Sequence, residues 1–585
     1  MQRLFYGGTN MYLGVDLGST NIKAAIYDGS MQLVGQQSRP VEYLRENGFV
    51  EFDAERYYNE LAALIAQLTR DCGVSKIRQI AFTGQAESLV CVDADGRACM
   101  HAISWMDERS TEECKLLAAQ FDAALCERVT GQQALLPTWP ATKILWLKKN
   151  RPDVFAAAET FMLLKDYIVF RLTGRKLADM SIATFTFYFD IYEKHYWTQM
   201  LDAIGIDETR LPPLVEPCSI AGPLTADAAQ ALGLTRDTLV NVGTLDHFAG
   251  MIGTGNVRPG GVTLSTGTVM ALAVMAQEPA PRDSGIAMHY GFLPDTHVML
   301  PVAESGGVSL EWFRRTCMPE TGYDEMNRVL LVRGGENPLI FLPYLVGTNA
   351  PEFDADAAGM FWGLRQEHDV FDMAHAVMEG VAFMLRKNCD AIAAKGTKPD
   401  HIIATGGGAK SPVWCQLQAD ITGLPVVVPR EKEAACLGAA IVAAVSLYAL
   451  KHMGKKVVTK VNHVDFGDVI EGLQLDSIVN PKELTAQQIV QYVRAAGNSM
   501  ESNVETLYRL MNGRVEALEF LLDKESPIIG PKLAELQIKK NVLIAGIVRE
   551  GKLIIPGGQD AFQVGDTVIV VTTNLGFHDI ENILA

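Results

Sequence analysis

The chain has 585 residues, which by length alone is room for about three or four domains. Hydrophobic residues make up 48% and charged residues 21%, an ordinary globular composition with material for several cores. A net charge of -18 argues against non-specific binding to DNA or RNA, but not against a nucleotide, which is held by local dipoles.

Residues 1–10 have one arginine and no apolar run, so they do not read as a signal peptide. Tyr12–Tyr27 reads as strand, turn, strand around Asp16-Leu17-Gly18-Ser19-Thr20. A hairpin tip containing Gly18 lets a phosphate approach backbone N–H groups. Asp16 offers the carboxylate oxygen that Mg2+ prefers. An ordinary polar hairpin is the plain alternative. Ala54–Leu68 has the spacing of an amphipathic helix. Ile77–Phe82 predicts a strand running into Thr83-Gly84-Gln85-Ala86-Glu87-Ser88, and Leu89–Val92 predicts another. In Ser104–Arg109, Trp105 offers a face for C–H groups while Asp107 and Arg109 could bind hydroxyls, a combination suited to a polyol. A surface salt bridge explains the same residues. Thr130–Ile191 is mixed helix and loop, with Trp139 and Trp146 read as core.

Leu239–Val242 predicts a short buried strand ending at Gly243-Thr244, with Asp246 just beyond it. Open α/β sheets hold ligands at that edge. Taken alone, an aspartate there reads first as a helix N-cap. Val262–Leu264 predicts a strand entering Ser265-Thr266-Gly267-Thr268, whose N–H groups and hydroxyls suit phosphate oxygens. One segment therefore offers a carboxylate and a phosphate cradle, one for each reactant of a phosphoryl transfer. Leu339–Tyr344 predicts a strand, Gly347–Gly359 a loop and Ala374–Arg386 a helix. Ile402–Ala404 predicts a strand leading to Thr405-Gly406-Gly407-Gly408-Ala409, where a flat ring or phosphate could lie on the backbone. The spacing is not the GxGxxG of dinucleotide folds. Val413–Ile421 predicts a helix, Val426–Pro429 a strand and Glu431–Val445 a helix. The longest apolar run, Ala434–Leu450, is short for a bilayer span and reads as a buried helix. Ten cysteines without C-x-x-C spacing read as reduced thiols of a cytoplasmic protein.

Together these stretches resemble the FGGY carbohydrate kinases over about residues 11–445. The resemblance is carried by Gly359–Leu364, Asp372–Glu379, Gly406–Pro429 and Glu433–Ala440. It implies an α/β, two-lobed, actin/hexokinase-like (ribonuclease H-like) ATPase fold. Residues 11–253 would form the sugar-binding lobe and 254–445 the ATP-binding lobe, which stops short of the closing helical segment of relatives. It also implies ATP and Mg2+ as cofactors. Asp16, Gly18, Ser19, Thr20 and Lys23 match the first phosphate loop, with Asp16 toward the metal. Thr266, Gly267 and Thr268 match the second. Gly407, Gly408 and Ala409 match the adenosine motif. Gln85, Glu87, Trp105, Asp107 and Arg109 match the sugar loops, and Asp246 matches the catalytic base. Substrate signals are mixed. Ketose-specific relatives carry Met-His where Ala86-Glu87 stands, Glu87 is closer to the glycerol-kinase pattern, and Trp105-Met106-Asp107 is closer to the ketose kinases. His247 stands where many relatives have Asn or Gln. A small sugar or polyol is implied, without a choice among them.

Beyond Ser446 the character changes. Ser446–Met453 and Ala486–Val493 read as helices. Lys456–Val461, a segment of Gly472–Val479, Ala517–Leu522, Val542–Arg549, Lys552–Ile555 and Thr567–Thr572 read as strands. Ser526–Gly530, Gly551–Pro556 and Val564–Val570 resemble the C-terminal part of TrkA-type potassium-uptake regulators. The resemblance implies a partial Rossmann-like RCK nucleotide-binding segment at 446–503, lacking the glycine fingerprint of its NAD site, and a small α+β RCK C-terminal domain at 504–585. It further implies homodimerisation through that domain and a membrane potassium transporter as partner. The junction reads as a fusion or, preferably, as two coding sequences joined by deletion or assembly. The leading functional reading is an ATP-dependent carbohydrate kinase with a regulatory tail. The alternative is a non-catalytic cytoplasmic regulator of potassium uptake whose kinase part is a passenger or sensor. A sugarless actin-like ATPase fits less well, because it leaves Asp246 and Asp372–Glu379 unexplained.

Overall fold

A computed structural model describes residues 10–333, 337–352, 354, 356–430, 433–452, 458–460, 477–479, 504–510, 515–522, 526–574, 577 and 579–585. The chain divides into two compact units, the first ending near residue 457 and the second spanning Ser477–Ala585 with residues 458–464.

The first unit is built from two sheets of like design. In the first lobe lie β1 (Tyr12–Leu17), β2 (Asn21–Tyr27), β3 (Leu33–Pro40), β4 (Gln79–Gly84), β5 (Ile220–Pro223) and β6 (Leu239–Leu245). Their order is β5-β6-β4-β1-β2-β3. β1 and β2 form an antiparallel hairpin, and β4 runs parallel to both β1 and β6. These central strands are buried on both faces, which is why they read as continuous apolar runs rather than alternating ones. The helix α1 (Ala54–Asp71) starts where the Asp53 carboxylate accepts the Glu55 and Arg56 N–H groups. Its Leu61, Leu64, Ile65 and Leu68 cover one face of the sheet. An outlying small sheet joins Leu44–Glu46, Phe49–Phe52, Ala102–Ile103, Leu89–Val92 and Thr160–Leu163, beside the helix α2 (Pro140–Asn150).

After α3 (Asp246–Thr254) the second lobe repeats the plan. It uses β7 (Gly261–Thr266), β8 (Met270–Met275), β9 (Met288–Tyr290), β10 (His297–Met299), β11 (His401–Gly406) and β12 (Val426–Val427), in the order β9-β10-β8-β7-β11-β12. β7 and β8 are the hairpin, and β11 lies parallel to β7. Helices α4 (Gly307–Cys317), α5 (Tyr323–Arg333), α6 (Val370–Ala394) and α7 (Pro412–Thr422) belong to this lobe. A hairpin with a parallel third strand therefore occurs twice.

The apolar run expected to be a buried helix is α8 (Ala434–His452). It is hydrophobic all round because it is enclosed: it packs on α3 and against β1 and β4 of the first lobe. Its crossing with α3 is tight, since a Cβ on Gly438 would collide with the Ala249 carbonyl and one on Gly253 with the Ala434 carbonyl. Among the described residues no helix is long and apolar enough to cross a membrane. The boundary expected at 445/446 falls inside this helix. Ser446 Oγ accepts Gln79 Nε2 at 2.7 Å and Asn241 Nδ2 at 2.9 Å, and Leu447 is buried in the same core, so this turn belongs to the first unit. All ten cysteines are free thiols.

In the second unit the described part of the segment expected to be a partial nucleotide-binding domain is a parallel pair, β13 (Val458–Lys460) with β14 (Ser477–Val479). The helix expected at Ala486–Val493 lies outside the described residues. β15 (Val504–Leu510), β16 (Val515–Leu521), β17 (Val542–Arg549), β18 (Lys552–Ile554) and β19 (Thr567–Thr572) form an antiparallel sheet ordered β15-β16-β19-β17-β18. Leu518, Phe520, Val568 and Val570 face a core with Ile528, Phe562, Ile580 and Ile583. An α+β domain was the expectation; among its described residues the helical structure is 3-10 turns at Leu533–Glu535 and Ile580–Ile583.

Candidate active site

The strand register places the first half of the site. Leu17 pairs with Gly84, and Gly84 pairs with Leu245, so three parallel strands end level with one another. The next residues, Gly18, Gln85 and Asp246, leave the sheet side by side. This is the carboxyl edge at which open sheets bind ligands. β6 reaches that edge through a bulge between Asn241 and Thr244. Gly243 there has φ 71°, and a Cβ would collide with the Phe82 carbonyl. Asp246 is the first residue of α3, whose cap is Leu245, so the N-cap reading does not hold. One carboxylate oxygen, Oδ1, accepts the His247 N–H at 2.6 Å.

Asp16 Oδ1 is buried without a hydrogen-bond partner. Burial, and next the charge of Asp246, push the Asp16 carboxyl up to about 7 against the pull of Lys23. Asp16 and Asp246 are therefore close enough to feel each other. Lys23, opposite Asp16 in the hairpin, is half-buried and bonds Glu433 Oε2 at 2.7 Å. Burial alone would weaken its charge, but Glu433 and then Asp16 hold the ammonium above its usual range. Lys23 thus ties the first hairpin to the chain entering α8. Ser19 and Thr20 complete the hairpin tip, and Tyr57 OH donates to the Gly18 carbonyl at 3.1 Å.

The sugar loops expected from sequence converge on the same edge. Gln85 is buried and reaches Gly18 O through Nε2 at 3.3 Å. Its Oε1 accepts Ser88 Oγ at 2.8 Å, and Ser88 Oγ accepts the Trp105 N–H at 3.1 Å. Glu87 has φ 64°. Burial pushes its carboxyl up, while the buried Lys143 ammonium opposes the shift. Trp105 is 39% exposed, although tryptophan is on average a highly buried residue. Asp107 and Arg109 are different. Their side chains are 0% and 1% exposed and bond each other twice, through Nε at 2.8 Å and a terminal nitrogen at 2.8 Å. Asp107 also accepts the Val50 N–H, while Arg109 bonds Glu51 at 2.8 Å and stacks on Phe49 at 4.0 Å. The pair is a buried ion pair, not the surface salt bridge that explains the same residues from sequence. Trp139 is core, as expected, and Trp146 lies beneath Arg109 at 5.0 Å.

The second lobe supplies the other half by the same device. Thr266 pairs with Gly406, so Gly267 and Gly407 leave β7 and β11 together. They open onto a cavity of about 440 Å3 lined by Thr266, Gly267, Thr268, Gly407 and Gly408 from the two expected motifs. That volume suits a nucleotide-sized ligand. Ala409, in the short 3-10 turn Gly408–Lys410, does not line it. Sequence reasoning missed other parts of the wall, among them Gly307 and Val308 at the start of α4, Tyr323 and Asn327 of α5, Ser411 at the cap of α7 and Trp414 within it. The Gly307 and Val308 N–H groups bond the Gly267 and Thr268 carbonyls at 2.8 and 3.1 Å, fixing the loop. The Gly306-Gly307 pair was the available signal. Also missed was Lys143, in the stretch read only as mixed helix and loop. The first-lobe residues do not line this cavity. Among the described residues no cluster of three or more metal-ligating side chains occurs.

Two hairpin-bearing lobes, one with paired carboxylates and the other with a glycine-floored cavity, define a phosphotransferase of the actin-like class. Residues 11–253 match the FGGY family of carbohydrate kinases, N-terminal domain, and residues 262–447 match its C-terminal domain. Residues 517–585 match the TrkA-C domain. A xylulose kinase from Staphylococcus epidermidis is 32% identical over 441 residues, covering 74% of this chain and 88% of that protein. A gluconokinase from Bacillus subtilis is 28% identical, covering 75% and 88%. A ligand-bound xylulose kinase from Lactobacillus acidophilus superposes with a TM-score of 0.70 at 27% identity, covering 83% of this chain and 98% of that one. The chain belongs to the FGGY family of carbohydrate kinases, ATP-dependent phosphotransferases, and carries a TrkA-C domain behind the kinase.

Proposed function

We propose that the chain transfers the terminal phosphoryl group of ATP to a hydroxyl of a small sugar, a ketose of the xylulose type before an aldonate of the gluconate type. The observation that carries this reading is the level ending of β1, β4 and β6, which sets Gly18, Gln85 and Asp246 side by side. The adenosine end of ATP lies in the 440 Å3 cavity, on Gly407 and Gly408. The phosphates are held between the turn Thr266-Gly267-Thr268 and the turn Gly18-Ser19-Thr20, whose N–H groups face developing charge. Trp105 supplies a ring face for the sugar, and Ser88 Oγ, accepting the Trp105 N–H, fixes its backbone. Gln85 and Glu87 take sugar hydroxyls.

Asp246 accepts the proton of the attacking hydroxyl. In a loose transition state that proton leaves late, so alignment and charge neutralisation outweigh basicity. The orphaned Asp16 Oδ1 is the donor type Mg2+ takes. Bound there, Mg2+ would neutralise phosphate charge. Bringing the two lobe edges together excludes water, the competing acceptor.

The test is ADP release by the full chain across ketoses, alditols and aldonates. Turnover that requires one of these sugars is expected, and ATP consumption that ignores all of them overturns the reading. The TrkA-C domain favours a second reading, in which the kinase responds to a regulatory tail.

A further inference from the structure

Lys143, on α2, is 0% exposed. Its Nζ donates to the Ser104 carbonyl at 2.8 Å and to the Glu87 carbonyl at 3.1 Å. A buried ammonium persists only where its hydrogen bonds and a counter-charge offset lost hydration; burial works against the Lys143 charge, and Glu87 and then Asp107 oppose that effect. The two carbonyls sit in different loops: Glu87 in the turn after β4, Ser104 in the turn leading to Trp105. Glu87 is held at φ 64°, which a residue with a side chain adopts only when its surroundings fix it. A second tie joins the same loops, where Ser88 Oγ donates to Gln85 Oε1 and accepts the Trp105 N–H. The small sheet fixes the loops at their roots, because Leu89 pairs with Ile103.

We propose that Lys143 is a positioning residue for the acceptor sugar: by binding the Glu87 and Ser104 carbonyls together, it sets the gap between the loop carrying Gln85 and Glu87 and the loop carrying Trp105. This rests on the reading that those loops hold the sugar. Lys143 touches no reacting atom. Its effect falls on sugar affinity and leaves the nucleotide half of the site alone, because the ATP cavity is walled by the other lobe.

The experiment is steady-state kinetics of the full chain and of Lys143→Met, which keeps side-chain length and removes the donors. Sugar and ATP are varied separately, and thermal unfolding is recorded for each protein. The expected result is a sugar KM raised about tenfold or more, the equivalent of about 1.4 kcal/mol of lost binding. The ATP KM and the kcat at saturating sugar stay within about threefold. Lys143→Arg, which keeps the charge and the donors, recovers part of the sugar affinity. Ser88→Ala, a smaller cut in the parallel tie, moves sugar KM the same way. A sugar KM unchanged in Lys143→Met overturns the proposal, as does a rise in both KM values together with the loss of stability. Should Lys143→Met fail to fold, an unchanged sugar KM in Ser88→Ala overturns it. Absence of sugar-dependent turnover in the unmodified chain is distinct: it removes the kinase reading beneath, and this inference with it.

Discussion

In the proposed reading, Asp16 Oδ1, Gly408 and the Asp107–Arg109 pair divide the labour of the site. An unpartnered buried carboxylate oxygen persists where a ligand supplies what the protein does not. Asp16→Asn is accordingly expected to raise the Mg2+ concentration for half-maximal turnover about tenfold or more, with sugar binding by calorimetry unchanged. Equal Mg2+ dependence in the two proteins would remove Asp16 from that role. Gly408 abuts Thr266, whose Cβ would lie 2.7 Å from an added Cβ. Gly408→Val should therefore crowd the cavity floor and raise the ATP KM about tenfold while sparing the sugar KM, a split read from paired titrations. Much of this was legible from residue type and place: Asp246 past a strand end, Gly267 and Gly407 in turns after strands. Asp107 and Arg109 were also legible as a cluster, but not their role. Nothing in the order of residues reveals that Val50, Glu51 and Phe49 consume both side chains. Lys143 was illegible for a related reason, since burial of a lysine is decided by two distant carbonyls.

Among elements, α8 is the most telling. Its glycine crossing with α3 leaves no room for a side chain, so Gly438→Leu is expected to cost about 1–3 kcal/mol in urea unfolding, the range for overpacking. Unchanged stability would mean the helices separate more easily than their contact implies. α6 makes a pH prediction. Burial pushes the Glu379 carboxyl up to about 7, so folding favours its protonated form. Whatever stability that form contributes is complete at low pH and is lost as pH rises through about 7. Glu379→Gln should thus gain more in Tm over the unmodified chain at about pH 8 than at about pH 5, and an equal difference at both would contradict the burial account. Sequence periodicity found the middle of α6 as Ala374–Arg386 but not its ends. The helix starts at Val370 because Asp369 and Asp372 form a reciprocal cap, a signal that precedes the apolar stripe. The strand Ile402–Ala404 likewise extends to Gly406, since parallel pairing with β7 continues into residues with little strand propensity.

At the scale of the whole molecule, the repeated hairpin-plus-parallel-strand plan brings two sets of loops from distant sequence to like positions in two lobes. That duplication was visible only as two polar turns in strand-rich segments; the level strand ends needed coordinates. The tail was recognisable from Ser526–Gly530, Gly551–Pro556 and Val564–Val570, and the TrkA-C match covers residues 517–585 of the 504–585 expected. The junction expected at 445/446 lies inside α8, and an all-round apolar helix gives no periodic sign of where one unit ends. Since α8 as far as Leu447 is seated in the kinase core, a chain ending at His452 is expected to retain sugar-dependent turnover within about threefold. Loss of turnover with intact folding would favour control by the tail.

The most direct measurement is ketose-dependent ADP release by the full chain beside Asp246→Asn, with circular dichroism to confirm equal folding. Turnover that saturates in both ATP and ketose, and falls about 100-fold or more in the variant, is the predicted result. Turnover that needs no ketose, or that survives Asp246→Asn at a near-normal rate, would contradict it.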